Sequence, residues 1–157
     1  MPKAIILMGS KTDLDWSKKI ETSIKKFGIQ CVMRIASAHK VPLICHQLIK
    51  EFEQEDVVFV TVAGRSNALS GFTDAQTYCP VIACPPYGDK FAGNDIYSSL
   101  RMPSGVAPMV VLEPENAALA VAKIFAMTDN SIKQKVIEYQ RQMQEILIND
   151  DKELNNG

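Results

Sequence analysis

The sequence predicts an α/β fold three layers deep, with helices covering both faces of a central parallel sheet. Three observations carry this. Short β-forming runs alternate with helical patterns along the whole chain. Two of those runs, KAIILMG (3–9) and VVFVTVA (57–63), are almost continuously apolar, as strands buried on both faces must be. Strands separated by helices imply right-handed crossovers, and hence parallel pairing.

Each element follows in order. After the strand at 3–9, Trp16, Ile20, Ile24 and Phe27 recur at helical spacing, and Gly28 closes that helix. IQCVMRIA (29–36) alternates apolar and polar residues, the pattern of a strand nearer the sheet edge. Pro42 suits the first position of a second helix, whose apolar face is Ile44, Leu48 and Phe52. VVFVTVA is the most strongly β-forming segment and is assigned to the sheet centre. Residues 66–77 read as a short helix and PVIAC (80–84) as a fourth strand. From Pro85 to Pro108 the chain is rich in Gly, Pro and Ser, around one helical patch, DIYSSLRM (95–102). A fifth strand is expected at 109–112. Pro114 then opens a helix with Ala118, Val121, Ala122 and Phe125 on one face. The last helix, about 131–148, puts Ile132, Val136, Tyr139, Met143 and Ile146 on one stripe, and the polar tail DDKELNNG is expected to fray. The whole is a flavodoxin-like, doubly wound single domain over 1–157, with a core of about 3–127 and an added C-terminal helix.

Composition narrows the partners. With 17 Lys and Arg against 18 Asp and Glu, the formal charge is −1, so no global field favours nucleic acid or a membrane surface. An anionic ligand must be held by local groups. Cys31, Cys45, Cys79 and Cys84 form no C-x-x-C pair and read as free thiols in a reducing compartment, neither a disulfide frame nor a zinc site. The N-terminus shows no leader pattern, and no apolar stretch approaches the roughly 20 residues a membrane span needs. The expected location is the cytoplasm.

In doubly wound sheets, ligands bind beyond the carboxyl ends of the strands, where the strand order reverses. The turns after strands one, two and three are therefore the candidates. The first, Gly9-Ser10-Lys11-Thr12-Asp13, offers a glycine, two hydroxyls and free backbone N–H groups for a phosphate, and Asp13 for ribose hydroxyls. It reads equally as helix capping by Thr12 or Asp13. The second, Ser37-Ala38-His39-Lys40, sets an imidazole and an ammonium side by side. His39 is either a proton-transfer group or a solvated loop residue; His46, inside a helix, is read as structural. The third, Ala63 to Gly71, crowds small and hydrogen-bonding residues after the central strand, either for close ligand approach or for capping by Ser66 or Asn67 with Arg65 in an ion pair. Met102-Pro103-Ser104-Gly105 reads as a lid or as a connection.

Taken together, MGSKTD (8–13), SAHK (37–40), AGRSNALSG (63–71), CPP (84–86) and SSLRMPSG (98–105) resemble the aminoimidazole ribonucleotide (AIR) carboxylase family, in order over about residues 4–127. The resemblance implies reversible carboxylation of AIR by CO2 to 4-carboxy-AIR in purine biosynthesis, a lyase reaction with no ATP, biotin, metal or other cofactor. It implies His39 as the catalytic acid–base. It further implies Ser10, Asp13, Ser37, Lys40, Gly64, Ser66 and Ala68 at the substrate, and a homo-oligomer, tetramer or octamer. Lys40 and Arg65-Ser66-Asn67 match the branch that uses CO2 directly. Ala68 falls where the branch that rearranges the N5-carboxylated nucleotide (a mutase) has a second histidine. No second catalytic domain, such as the animal version carries, is expected. Mutase activity is the alternative within enzymes, and a non-catalytic flavodoxin-like nucleotide-binding module is the more remote one. A receiver-type module is disfavoured because strand three ends in Ala63-Gly64-Arg65, with no acid there.

Overall fold

The computed structural model describes residues 1–155, with Asn156 and Gly157 outside the described residues. Its strands are β1 (Lys3–Met8), β2 (Gln30–Ile35), β3 (Val57–Val62), β4 (Val81–Ala83) and β5 (Met109–Val110). All pair in parallel, in the order β2-β1-β3-β4-β5. The helices are α1 (Leu14–Lys26), α2 (Pro42–Phe52), α3 (Leu69–Ala75), α4 (Tyr97–Leu100), α5 (Pro114–Phe125) and α6 (Asn130–Asn155).

The sequence pattern explains the layers. Along β1 and β3 every second side chain faces the same way. Ala4, Ile6, Met8, Val58, Val60 and Val62 therefore pack on the layer containing α1, α5 and the start of α6. Ile5, Leu7, Val57 and Phe59 pack on the opposite layer, with Cys45, Leu48 and Ile49 of α2 and Leu69 of α3. Every residue of β3 is buried, as its position between β1 and β4 requires. Each such apolar side chain contributes roughly 1.5–3 kcal/mol on burial. β2, the strand read as nearer the edge, does form one edge. Pro42 and Pro114 each open their helix, and Gly28, at φ +76°, ends the first helical segment in the left-handed region that glycine tolerates. No described helix is long and apolar enough to cross a membrane.

Several boundaries differ from expectation. The buried face of α2 is Cys45, Leu48, Ile49 and Phe52, while Ile44 is 53% exposed. The buried stripe lies about one position later than the large apolar residues indicate, because Cys45, a small buried side chain, also belongs to it. α3 is shorter than 66–77, because Arg65 turns left-handed and Asn67 caps the helix: the Ser70 N–H donates to Asn67 Oδ1 at 3.2 Å. The patch at 95–102 holds a 3-10 turn (Asn94–Ile96) and then α4, and it stops short of Pro103, which disfavours helix in the residue before it. β5 pairs only over Met109–Val110.

The tail expected to fray continues α6 through Asn155. Asp129 Oδ1 accepts the N–H groups of Ser131 and Ile132, at 2.8 and 3.1 Å, which secures the start of α6. No glycine or proline interrupts it after that.

Candidate active site

β1 and β3 are neighbours whose chain directions lead to opposite sides of the sheet, so the strand order reverses between them. Their carboxyl ends are tied directly: the Gly9 N–H donates to the Val62 carbonyl at 2.9 Å. A methyl group on Gly9 would meet Ala63 Cβ at 3.4 Å, so a larger residue would push the first and third turns apart. The Ala36 N–H donates to Met8 O at 2.9 Å, which brings the second turn alongside.

A cleft of about 700 Å³ opens over this junction. His39, Ser10, Asp13, Ser37, Lys40, Gly64, Ser66 and Ala68 all line it, so three turns far apart in sequence meet at one cavity. Their local fixings differ. Ser37 Oγ accepts the Lys40 N–H at 3.2 Å, and Ser37 O accepts the Val41 N–H at 2.9 Å, which closes the turn bearing His39. The side chains of His39 and Lys40 stand exposed on it. Asp13 does not cap α1. Its Oδ2 turns back to accept the Ser10 N–H at 3.1 Å, and Ser10 Oγ is close to Thr12 Oγ1. In the third turn Asn67 is buried and caps α3, so the capping alternative holds for Asn67. Arg65 makes no ion pair among the described residues.

Burial holds the Asp13 carboxyl above the ordinary carboxylate range, against hydrogen bonds from the Ser10 backbone and side chain that lower it. The sign follows. A carboxyl whose folded pKa exceeds its unfolded one adds no folding cost below the unfolded value, and it costs stability as pH rises through the folded value. Asp13→Asn is therefore expected to melt no lower than wild type at pH 7, with any gain vanishing under acid conditions. Thermal melts across pH check this. A variant that melts lower than wild type at pH 7 would contradict it.

Three of the thiols offer no nucleophile. Burial pushes Cys31 and Cys84 up to about 12 and Cys45 up to about 11, so these three stay protonated at neutral pH. All four cysteines are free.

Sequence reasoning missed part of the cleft wall. Pro86–Phe91 and Asp95 also line it, from the Gly- and Pro-rich stretch where no periodicity marks structure. Only the CPP motif pointed there. Met102–Gly105 does not line the cleft in the single chain. Met102 lies against Gly71 of α3, and the Ala107 N–H donates to Asp74 Oδ2 at 2.7 Å.

Comparison with known proteins gives one answer. A family model described as AIR carboxylase matches residues 3–146. The phosphoribosylaminoimidazole carboxylase of Archaeoglobus fulgidus is 64% identical over 97% of this chain and 84% of its own length. A crystal structure of Treponema denticola PurE superposes with a TM-score of 0.96 at 49% identity, covering 98% of this chain and 99% of that one. The human bifunctional phosphoribosylaminoimidazole carboxylase/phosphoribosylaminoimidazole succinocarboxamide synthetase is 40% identical over 85% of this chain, which spans 32% of that protein.

Proposed function

The chain belongs to the AIR carboxylase family, and from that premise we propose that its cleft binds AIR and CO2 and joins them, with His39 moving the proton. The enzyme is a phosphoribosylaminoimidazole carboxylase of purine biosynthesis. The observation that carries the site reading is the convergence of His39 with all seven proposed substrate residues on one cleft at the sheet's switch point.

The chemistry runs as follows. The exocyclic amine of AIR raises electron density at C4 of the imidazole, which attacks the carbon of CO2. The adduct then carries both a hydrogen and a carboxylate on C4. His39 accepts that proton, the C–H electron pair returns to the ring, and aromaticity is restored; the reverse sequence is decarboxylation. CO2 offers little to bind, so positioning must come from the nucleotide. Ser10 and Asp13 are assigned to phosphate and ribose. Ser37, Lys40 and Ser66 complete the site through side chains, and Gly64 and Ala68 through backbone.

Lys40, Arg65-Ser66-Asn67 and Ala68 support direct use of CO2 over rearrangement of the N5-carboxylated nucleotide. A spectroscopic assay with AIR and bicarbonate, with and without ATP, tests this. Carboxylated product is expected in both. Product formed only from the N5-carboxylated nucleotide, without added CO2, would assign the mutase instead. The same proposal includes a cytoplasmic location, supported by four free cysteines, and a homo-oligomer, supported by the uncovered apolar residues of α6.

A further inference from the structure

β3 ends at Val62, and the third turn then runs to the start of α3 at Leu69. Within 63–68 the one backbone hydrogen bond among the described residues is Ala68 N–H to Ser66 O, at 3.1 Å. The turn nevertheless holds Arg65 at φ +60°, a left-handed conformation that a residue with a Cβ rarely adopts. Something outside the turn must hold it there.

The holder lies some 30 residues later. Asp95 Oδ2 accepts the Arg65 N–H at 3.1 Å. Ser98 Oγ accepts the Asn67 N–H at 2.9 Å while donating to the Asp95 carbonyl at 2.7 Å. Asn67 Nδ2 donates to Ser99 Oγ at 2.9 Å, with both residues buried. The Asp95 carboxylate also lies 3.6 Å from where a methyl on Gly64 would stand, so it packs against the turn as well as bonding to it. Asp95 and the turn share the cleft wall.

We propose that Asp95 is a positioning residue for the carboxylation reaction: through the Arg65 N–H it keeps the third turn in its left-handed shape and so presents Gly64 and Ser66 to the nucleotide. Ser98 carries the second strut. This rests on the carboxylase reading of the cleft. A wall displaced by about 1 Å can cost on the order of 10²-fold in rate, so the effect should be large for a residue that need not touch substrate.

The test is a cycle of variants. Asp95→Ala is expected to lower kcat/KM for AIR roughly 10- to 100-fold, mainly through KM. Asp95→Asn keeps a carbonyl acceptor and should stay within a few-fold of wild type. Arg65→Gly removes the conformational strain, because glycine takes this φ freely. In the Arg65→Gly background, Asp95→Ala should therefore cost much less than it does in wild type. Equal loss in the Ala and Asn variants, an undiminished loss in the Arg65→Gly background, or an unchanged Asp95→Ala enzyme would each overturn the proposal. Amide exchange at Arg65 and Asn67, measured without substrate, should quicken in Asp95→Ala. That readout decides the clamp even if Asp95→Ala is poorly active or the wild type proves inactive on AIR and CO2. Wild-type inactivity would instead sink the carboxylase reading.

Discussion

Replacing His39 with asparagine is expected to cut kcat by roughly 10²–10⁴-fold, the range a positioned acid–base supplies, while nucleotide binding persists. Asparagine occupies similar space but cannot take a proton from C4 at neutral pH. The turn that carries His39 is held by the Ser37 hydroxyl and carbonyl and not by the imidazole, so the substitution should leave the cleft's shape alone. Loss of kcat with calorimetric AIR binding intact would mark a group used in the chemical step. A variant turning over at near wild-type rate would remove His39 from the mechanism. A variant losing rate and binding together would make it a substrate-holding residue.

How much of this was legible beforehand depended on what each residue reports. β1 and β3 announced themselves because burial on both faces leaves few polar positions, only Lys3 at the start of β1 and Thr61 in β3, and their apolar runs have few other readings. Pro42 and Pro114 marked helix starts through a missing N–H, a signal independent of tertiary context. Ile44 misled because amphipathic patterns locate a stripe only to about one residue, and the neighbouring cysteine was not counted as core. The end of α6 misled because a polar run looks the same whether solvated as coil or solvated as helix.

At the site, the division is sharper. Turns directly after strands could be found by the switch-point rule, and Ser10, Ser37, His39 and Ser66 were found that way. Their roles came from family resemblance, since a loop histidine alone is chemically ambiguous. Asp95 and Tyr87–Phe91 were invisible as site residues. They reach the cleft through irregular chain, and nothing local in DIYSS says that its aspartate will meet Arg65.

Paired charge substitutions in the far half of α6, Met143→Glu with Leu147→Glu, are expected to convert a homo-oligomer into monomers. α6 is 26 residues long, but only Ile132 and Val136 are buried and Tyr139 half-buried, and every residue from Gln140 to Asn155 is exposed. Those 16 residues extend about 24 Å. The ion pairs from Arg141 to Glu138 and Glu145 are solvent-exposed and add little, and helical stability comes mostly from packing of an apolar face. Met143 and Leu147 continue the stripe begun by Val136 and Tyr139, and Leu147 is 70% exposed. An apolar stripe that runs on past its own core is best covered by a second copy of the chain. Sedimentation at micromolar concentration should show an oligomer for wild type and a monomer for the double variant, with the far half of α6 losing amide protection in the monomer. A monomeric wild type, or a variant that stays assembled, would mean that this stripe is not where the copies meet.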